Sequence, residues 1–474
     1  MSSDILPSST PSAAGVDARG ILRFLDAVDA DPAIRPHSVV VLRDGLRIAE
    51  GSWAPFAADR VQLMYSISKS FTSTAVGLAR QEGLLDLDAT VLSYFPELDA
   101  DITDPRSRAM TVRHIAAMSS GHAADTIEVA QERDPADLVR GFLLTPPDAE
   151  PGTLFAYNQP CSYTLAAIVQ RLTGQTLVEY LRPRLFEPLG IDEAFWVELP
   201  AGRNLGFSGL HVTIEAVARL GELYRRGGMW GDRRVLDEDW VSLATRHHID
   251  TPPAGAPDWE QGYGFQFWMA RHGYRGDGAF GQFCVVVPES GLVVAFTSET
   301  GPMQNVLDAL WAHLLPAIDA PVDPADDALL AARLASLTIA PRDAAAEPGS
   351  AGDWNDRTFA VDPAARSTSV DAVRVVAEGD GWRLDLLDST GALEVGFAAG
   401  AWVLGEPRGV PLAASGGWSS DGVLDVEVMF LESPHTLRVR CSAASGQSAV
   451  RWATTPLHSV TPSEQHHPHA TSTP

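Results

Sequence analysis

Lysine is almost missing from this chain. Arginine supplies all but one of its 35 basic residues, and the single lysine is Lys69. Cysteine is scarce too: Cys161, Cys284 and Cys441 lie far apart and are odd in number. That spacing excludes both a disulfide framework and a metal-ligand pattern. No uncharged apolar run approaches the ~20 residues needed to cross a bilayer. The first 17 residues are rich in Ser, Pro and Ala but carry no basic flank leading into an apolar stretch. They do not read as a signal peptide, so a cytoplasmic location is expected. A Gly-x-Ser-x-Gly elbow, a phosphate-binding glycine loop, a His-Glu-x-x-His helix and paired Cys-x-x-Cys units are absent as well.

Positive charge is short overall. Against 35 basic residues stand 61 acidic ones, a formal net charge of -26. Such a surface repels phosphate backbones and anionic membranes, so neither nucleic acid nor membrane is expected as a partner. What is present is ordinary for a globular protein, with 45% apolar and 20% charged residues. A chain of 474 residues has room for two or three domains at roughly 150 residues each.

The pattern along the chain points to an α/β (α+β) fold: an antiparallel sheet flanked by helices, with an inserted helical subdomain, plus a C-terminal all-β domain. Residues 18–30 have helical periodicity, and the runs 38–42 and 46–49 around Arg43-Asp44-Gly45 read as a hairpin. From Ser66 to about Arg225 the periods are mostly helical. Strand signals return near Gly262 (Tyr263, Phe265, Phe267, Trp268), then over 282–287 and 292–297, followed by a helix from about Pro302 to Leu315. Strands at both ends with helices between them imply one sheet assembled from distant segments. The expected units are a mixed helix-and-sheet domain over 1–320, a helix and linker over 321–355, an all-β barrel-like domain over 356–458 and a disordered tail over 459–474. The tail's His466, His467 and His469 are read as part of that tail rather than as metal ligands.

The lone lysine sits in Tyr65-Ser66-Ile67-Ser68-Lys69, at the start of a helix. Residues three apart on a helix share a face, with Cβ atoms ~5–6 Å apart, so the Ser66 hydroxyl and the Lys69 amine can meet. A serine in the first turn also faces the positive helix end, which favours a developing alkoxide. A buried lysine loses basicity and can then accept the serine proton, whereas arginine cannot give up its own. The structural alternative is a helix-capping serine beside a solvated amine.

On these residues the sequence resembles the serine β-lactamase and DD-peptidase family, in particular its class C-like esterase and amidase branch, over about residues 15–315. The resemblance implies that Ser66 is the acylated nucleophile and Lys69 a general base. Phe155-Ala156-Tyr157-Asn158-Gln159, with Tyr163, Leu165 and Thr173-Gly174 after it, is similar to the family's Tyr-x-Asn segment. Tyr157 would then shuttle the proton, its phenol pKa lowered by Lys69. The usual Asn position holds Gln159 while Asn158 stands one place earlier, so either amide is a candidate for contacting substrate.

The family's third element is a Lys-Thr-Gly or His-x-Gly strand. Arg275-Gly276-Asp277-Gly278-Ala279 looks like a variant with a small first position. Gly276 and Gly278 would let the backbone approach substrate, and the N–H of Ala279 with that of Ser66 would form the oxyanion hole. The cation that faces a substrate carboxylate in this family is missing at Gly276, leaving Arg271, His272 or Arg275 to replace it. Among the aromatics, Trp230, Trp240 and Trp268 are candidates to line an acyl pocket. Gly206-Phe207-Ser208-Gly209 reads as a turn.

The implied activity is a serine hydrolase cleaving a small-molecule ester, lactone or small amide without cofactor or metal. The alternatives are a D-amino-acid peptidase or β-lactamase, and a non-catalytic binding protein on the same scaffold. A homodimer is compatible with any of these.

Overall fold

A computed structural model describes residues 6–348, 354–379 and 381–468. Its first helix, α1 (Ala18–Ala30), starts where the Asp17 side chain accepts from the N–H of Arg19. The helix buries Ile21, Phe24, Leu25 and Val28 on one face, as its period requires. Strands β1 (Ile34–Arg43) and β2 (Leu46–Ser52) follow as a hairpin. Both turn residues are left-handed, Asp44 at φ 50° and Gly45 at φ 82°, the geometry whose twist matches the strands.

After the helical insertion the sheet is completed by β3 (Trp268–Met269), β4 (Tyr274–Gly278), β5 (Gln282–Val287) and β6 (Leu292–Thr300). The spatial order is β2-β1-β6-β5-β4-β3, antiparallel throughout. Alternate residues serve two cores, as the period of two in a strand dictates. Val39, Val41, Val285 and Phe296 pack with α1 and the helix after β6, whereas Val40, Leu42, Val286 and Ala295 face the inserted helices. In that insertion α2 (Ser68–Gln81) is buried from Ser68 to Ala79 and packs against α3 (Gln159–Thr173), while α4 (Ile214–Arg225) lies on β5 and β6.

The C-terminal domain is a nine-stranded sheet: β7 (Arg357–Arg366), β8 (Ala372–Glu378), β9 (Gly381–Asp388), β10 (Gly391–Phe397), β11 (Val403–Gly405), β12 (Leu412–Trp418), β13 (Val423–Phe430), β14 (Thr436–Ser442) and β15 (Gln447–Trp452). Its order is β10-β9-β8-β7-β15-β14-β13-β12-β11. Ala398, just past β10, bridges Ser415 of β12, so the sheet curls into a nearly closed barrel around Trp354, Phe359, Leu384, Trp418 and Phe430. The fold class expected from the sequence is therefore the one observed.

Two local expectations are corrected. The strand signal at residues 262–267 yields no strand; regular pairing begins only at Trp268. Gly262 at φ 93° and Gln266 at φ 64° break the extended path there, and the aromatic residues between them are core residues of a loop. Residues 459–468, expected to belong to a disordered tail, fold back on the protein. Gln465 donates to the carbonyls of Ser459 and Thr461, and His467 sits 2.7 Å from the Glu432 carboxylate. His469 lies outside the described residues. No helix among the described residues is long and apolar enough to cross a membrane.

The barrel is fastened to the first domain through buried polar contacts. Glu299, on β6, accepts from the N–H and hydroxyl of Thr436 (3.2 and 2.7 Å) and from the hydroxyl of Thr454 (2.8 Å). The N–H of Leu63 donates to the Glu432 carbonyl at 2.8 Å. Removing Glu299 strands several buried donors at once, each worth ~1–3 kcal/mol. Glu299→Ala is therefore expected to lower stability by about 3 kcal/mol in a urea titration; an unshifted midpoint would show that this carboxylate does not hold the domains together.

Candidate active site

Three chain segments converge on the Lys69 amine. Ser66 lies in a single 3-10 turn, Tyr65–Ile67, that runs directly into α2, which places Lys69 one helical step behind it on the same face. Lys69 is 1% exposed. Its Nζ is 3.0 Å from Ser66 Oγ, 2.7 Å from Gln159 Oε1 and 2.8 Å from the Phe207 carbonyl. Burial lowers its pKa from 10.5 to about 7, partly countered by the nearby Asp125 carboxylate. In neutral form the amine has two hydrogens and a lone pair. Gln159 and Phe207 offer only acceptors to those hydrogens, so the lone pair is left for the Ser66 hydroxyl, which can both donate and accept.

Tyr157 covers this pair. Its ring lies 4.6 Å from Lys69 Nζ and stacks on Trp268 at 5.3 Å, and the Ser66 hydroxyl opposes part of the effect of burial on its phenol. The expected lowering of its pKa is reversed: burial raises it above the usual tyrosine value. The amine sits over the ring face rather than at the oxygen, so it does little to favour a phenolate. At this site the phenol is a neutral O–H, and Lys69 is the group able to accept a proton near neutral pH.

The two candidate amides separate cleanly. Asn158 is fully buried, and its Oδ1 accepts from the N–H (2.9 Å) and hydroxyl (3.0 Å) of Thr126. It anchors the loop before it and does not face the site, which corrects its place among the substrate-binding candidates. Gln159 faces the site through its contact with Lys69, while its backbone N–H donates to Asp125 Oδ1 at 3.0 Å.

Gly276, Gly278 and Ala279 run along β4 and its end. A Cβ on Gly278 would stand 2.3 Å from the Met64 carbonyl, and one on Gly276 would stand 2.7 Å from Ser70 Oγ. Only glycine permits this approach of β4 to α2 and the turn before it, the turn that carries Ser66. The space that a lysine or histidine at position 276 would need is occupied by α2.

Neither arginine offered in its place is free. Arg275 is fully buried. Its guanidinium donates to the carbonyls of Asp258 and Met269, pairs with Asp277 at 2.8 Å and lies over the Trp259 ring at 4.5 Å. Arg271 is paired with Asp258 and Asp308, and His272 packs edge-on to Trp311. Asp277 is itself buried, its pKa pushed up to about 6 by desolvation despite Arg275.

Of the three tryptophan candidates, Trp268 borders the site through its stack on Tyr157, and the other two do not. Trp240 fills the core against Gly77, and Trp230 lies in a short hairpin with Arg233. Sequence reasoning missed the Phe207 carbonyl, although Gly206 and Gly209 on either side of it were a signal for an exposed turn backbone. It also missed Asp125, Tyr65 and Phe280, for which no local pattern exists.

A family model described as Beta-lactamase matches residues 23–317, well over half of the chain. The chain belongs to the beta-lactamase family. Among its relatives, it is 28% identical over 306 residues to "Penicillin-binding protein 4" of Amycolatopsis lactamdurans, covering 56% of this chain and 79% of that one. It is 29% identical to "6-aminohexanoate-dimer hydrolase" of Paenarthrobacter ureafaciens, covering 43% and 55%. It is 28% identical to "Lovastatin esterase" of Penicillium rubens, covering 31% and 42%. The chain thus spans about half the length of the last two. Membership makes it a serine hydrolase of the β-lactamase type.

If the lone pair on Lys69 accepts the Ser66 proton, hydrolysis should follow the neutral amine. The rate at saturating and at limiting p-nitrophenyl ester is expected to rise with pH through a midpoint near 7, the value burial imposes on Lys69. Lys69→Arg keeps charge but cannot exchange the proton, and should lose at least about 10³-fold in kcat; a variant with near wild-type turnover would remove Lys69 from the chemistry.

Proposed function

We propose that this protein hydrolyses a small ester, lactone or small amide through an acyl-enzyme on Ser66. The observation that carries this reading is the buried Lys69 amine held against the Ser66 hydroxyl. As Ser66 Oγ bonds to the substrate carbonyl carbon, its proton passes to Lys69 Nζ. The carbonyl oxygen becomes an oxyanion, met by the N–H groups of Ser66 and Ala279. When the bond to the leaving group breaks, Lys69 returns a proton to it through the Tyr157 hydroxyl. Water then repeats the sequence, giving its proton to Lys69 and releasing the acid.

The reading for neutral acyl donors over carboxylate-bearing peptides and β-lactams rests on charge. Arg275 and Arg271 are committed to buried or partly buried carboxylates, and Asp277 is positioned to raise the pKa of Tyr157. An anionic group placed beside Tyr157 would meet Asp277 rather than a free cation. A relative named as an esterase and one named as a dimer hydrolase are consistent with this choice.

Incubation with a fluorophosphonate followed by intact-mass measurement should show one adduct, absent from Ser66→Ala. An unlabelled wild-type protein would favour a non-catalytic binding role. In a substrate panel, p-nitrophenyl esters should be turned over with a kcat/KM at least about tenfold above those for nitrocefin and a D-amino-acid amide. The reverse order would assign the site to β-lactam or peptide substrates.

A further inference from the structure

The two N–H groups expected to hold the oxyanion are each next to a residue in a left-handed backbone conformation. Tyr65, immediately before Ser66, has φ 45°, and Phe280, immediately after Ala279, has φ 67°. Neither is a glycine, and a bulky side chain is held in that region only when its surroundings compensate the strain. The surroundings here come from the C-terminal domain.

The rings of Tyr65 and Phe280 meet at 5.3 Å, edge to face, and both converge on the imidazole of His435, at 5.8 and 4.8 Å. His435 stands 1% exposed, just before β14. Its Nδ1 lies 2.9 Å from the Thr454 carbonyl and 3.0 Å from the Thr454 hydroxyl. The carbonyl can only accept, so Nδ1 carries the hydrogen and Nε2 is left as an acceptor. The Tyr65 hydroxyl lies 2.6 Å from that Nε2. Thr454 in turn donates to Glu299, the buried carboxylate on β6 that also binds Thr436. Burial keeps His435 neutral, its pKa lowered to about 3, so the tautomer does not change across the working pH range. On the other side, the Phe280 carbonyl accepts from the N–H of Thr300 at 3.1 Å, next to Glu299 on the same strand. One network thus ties the barrel to both flanks of the oxyanion hole.

We propose that His435 is a positioning residue for the oxyanion hole: by accepting the Tyr65 hydroxyl hydrogen and packing against Phe280, it holds the two left-handed residues that aim the N–H groups of Ser66 and Ala279. This inference rests on the acyl-enzyme reading above. It makes the C-terminal domain part of the catalytic apparatus without giving it a group that touches substrate. An N–H misplaced by about 1 Å can cost up to about 10²-fold in rate, and the loss falls on the transition state, where the oxyanion exists, rather than on substrate binding.

The test compares the full-length wild-type protein with His435→Leu, His435→Gln and Tyr65→Phe. In His435→Leu and Tyr65→Phe, kcat on a p-nitrophenyl ester is expected to fall about ten- to hundredfold with KM within about twofold. The affinity for a trifluoromethyl ketone, which forms a tetrahedral oxyanion on serine, should fall in parallel. His435→Gln, which keeps an acceptor near the Nε2 position, should recover most of kcat. The pH midpoint of hydrolysis should remain near that of the wild type, since Lys69 is untouched. Variants that melt at lower temperature but keep kcat and inhibitor affinity when assayed folded would overturn the proposal. Should His435→Leu fail to fold, Tyr65→Phe and His435→Gln decide it alone. A wild-type protein that neither hydrolyses esters nor accepts fluorophosphonate would instead overturn the acyl-enzyme reading, so the two failures are distinguishable.

Discussion

A single amine with three directions filled is the constraint on which the site depends. Lys69 Nζ contacts the turn before its own helix at Ser66, the start of α3 at Gln159, and the segment before α4 at Phe207. Each contact comes from a different part of the inserted helical region, so the amine is fixed only when that region is packed. Holding it there is expensive. Lowering its pKa from 10.5 to about 7 corresponds to ~5 kcal/mol of disfavoured charge. The sign follows from proton uptake: between those two values the unfolded chain binds the extra proton. The cost is therefore present in full below pH 7 and fades as pH rises toward 10.5. A structural lysine would escape it by turning outward, and arginine, used everywhere else in this chain, would carry the charge at every pH.

The same packing explains why the phenol behaves differently from the amine, though they lie side by side. Desolvation disfavours whichever form is charged. For Lys69 that releases a proton near neutral pH, while for Tyr157 it retains one. A base that is free and an acid that is loaded, both at the same pH, are what acyl transfer needs at its two steps. Burial alone sorts the two roles, with no need for a direct ionic contact between amine and phenolate.

What could be read from the sequence was local. The Ser66–Lys69 pair is an i,i+3 relation on one helix, and Gly276 and Gly278 announce a backbone approached closely by something, though not by what. The nearly unbroken apolar runs at 282–287 and 292–297 identify central strands because both faces of that sheet are covered. Register was harder. A one-residue choice between Asn158 and Gln159 depends on where α3 begins, and that is decided by Asp125 accepting from the N–H of Gln159, a contact 34 residues away. The aromatic residues of 262–267 look like a strand because core loops and strands draw on the same side chains, and only the backbone at Gln266 tells them apart. His435 carried no signal. It lies 370 residues from Tyr65, and a lone histidine beside a strand resembles any other.

Arg275 shows how one substitution pattern reshapes the demands on a substrate. Glycine at 276 lets α2 approach one face of β4, while Arg275, one residue earlier and so on the other face, lies among Trp259, Trp268 and Asp277. A buried guanidinium needs its carboxylate, since separating such a pair leaves an uncompensated charge costing ~3–5 kcal/mol. Arg275 therefore cannot swing out to greet an anionic ligand without stranding Asp277 beside Tyr157. The closeness that glycine permits on one face of β4 and the burial of Arg275 on the other are the two packing features on which the proposed preference for an uncharged acyl donor rests.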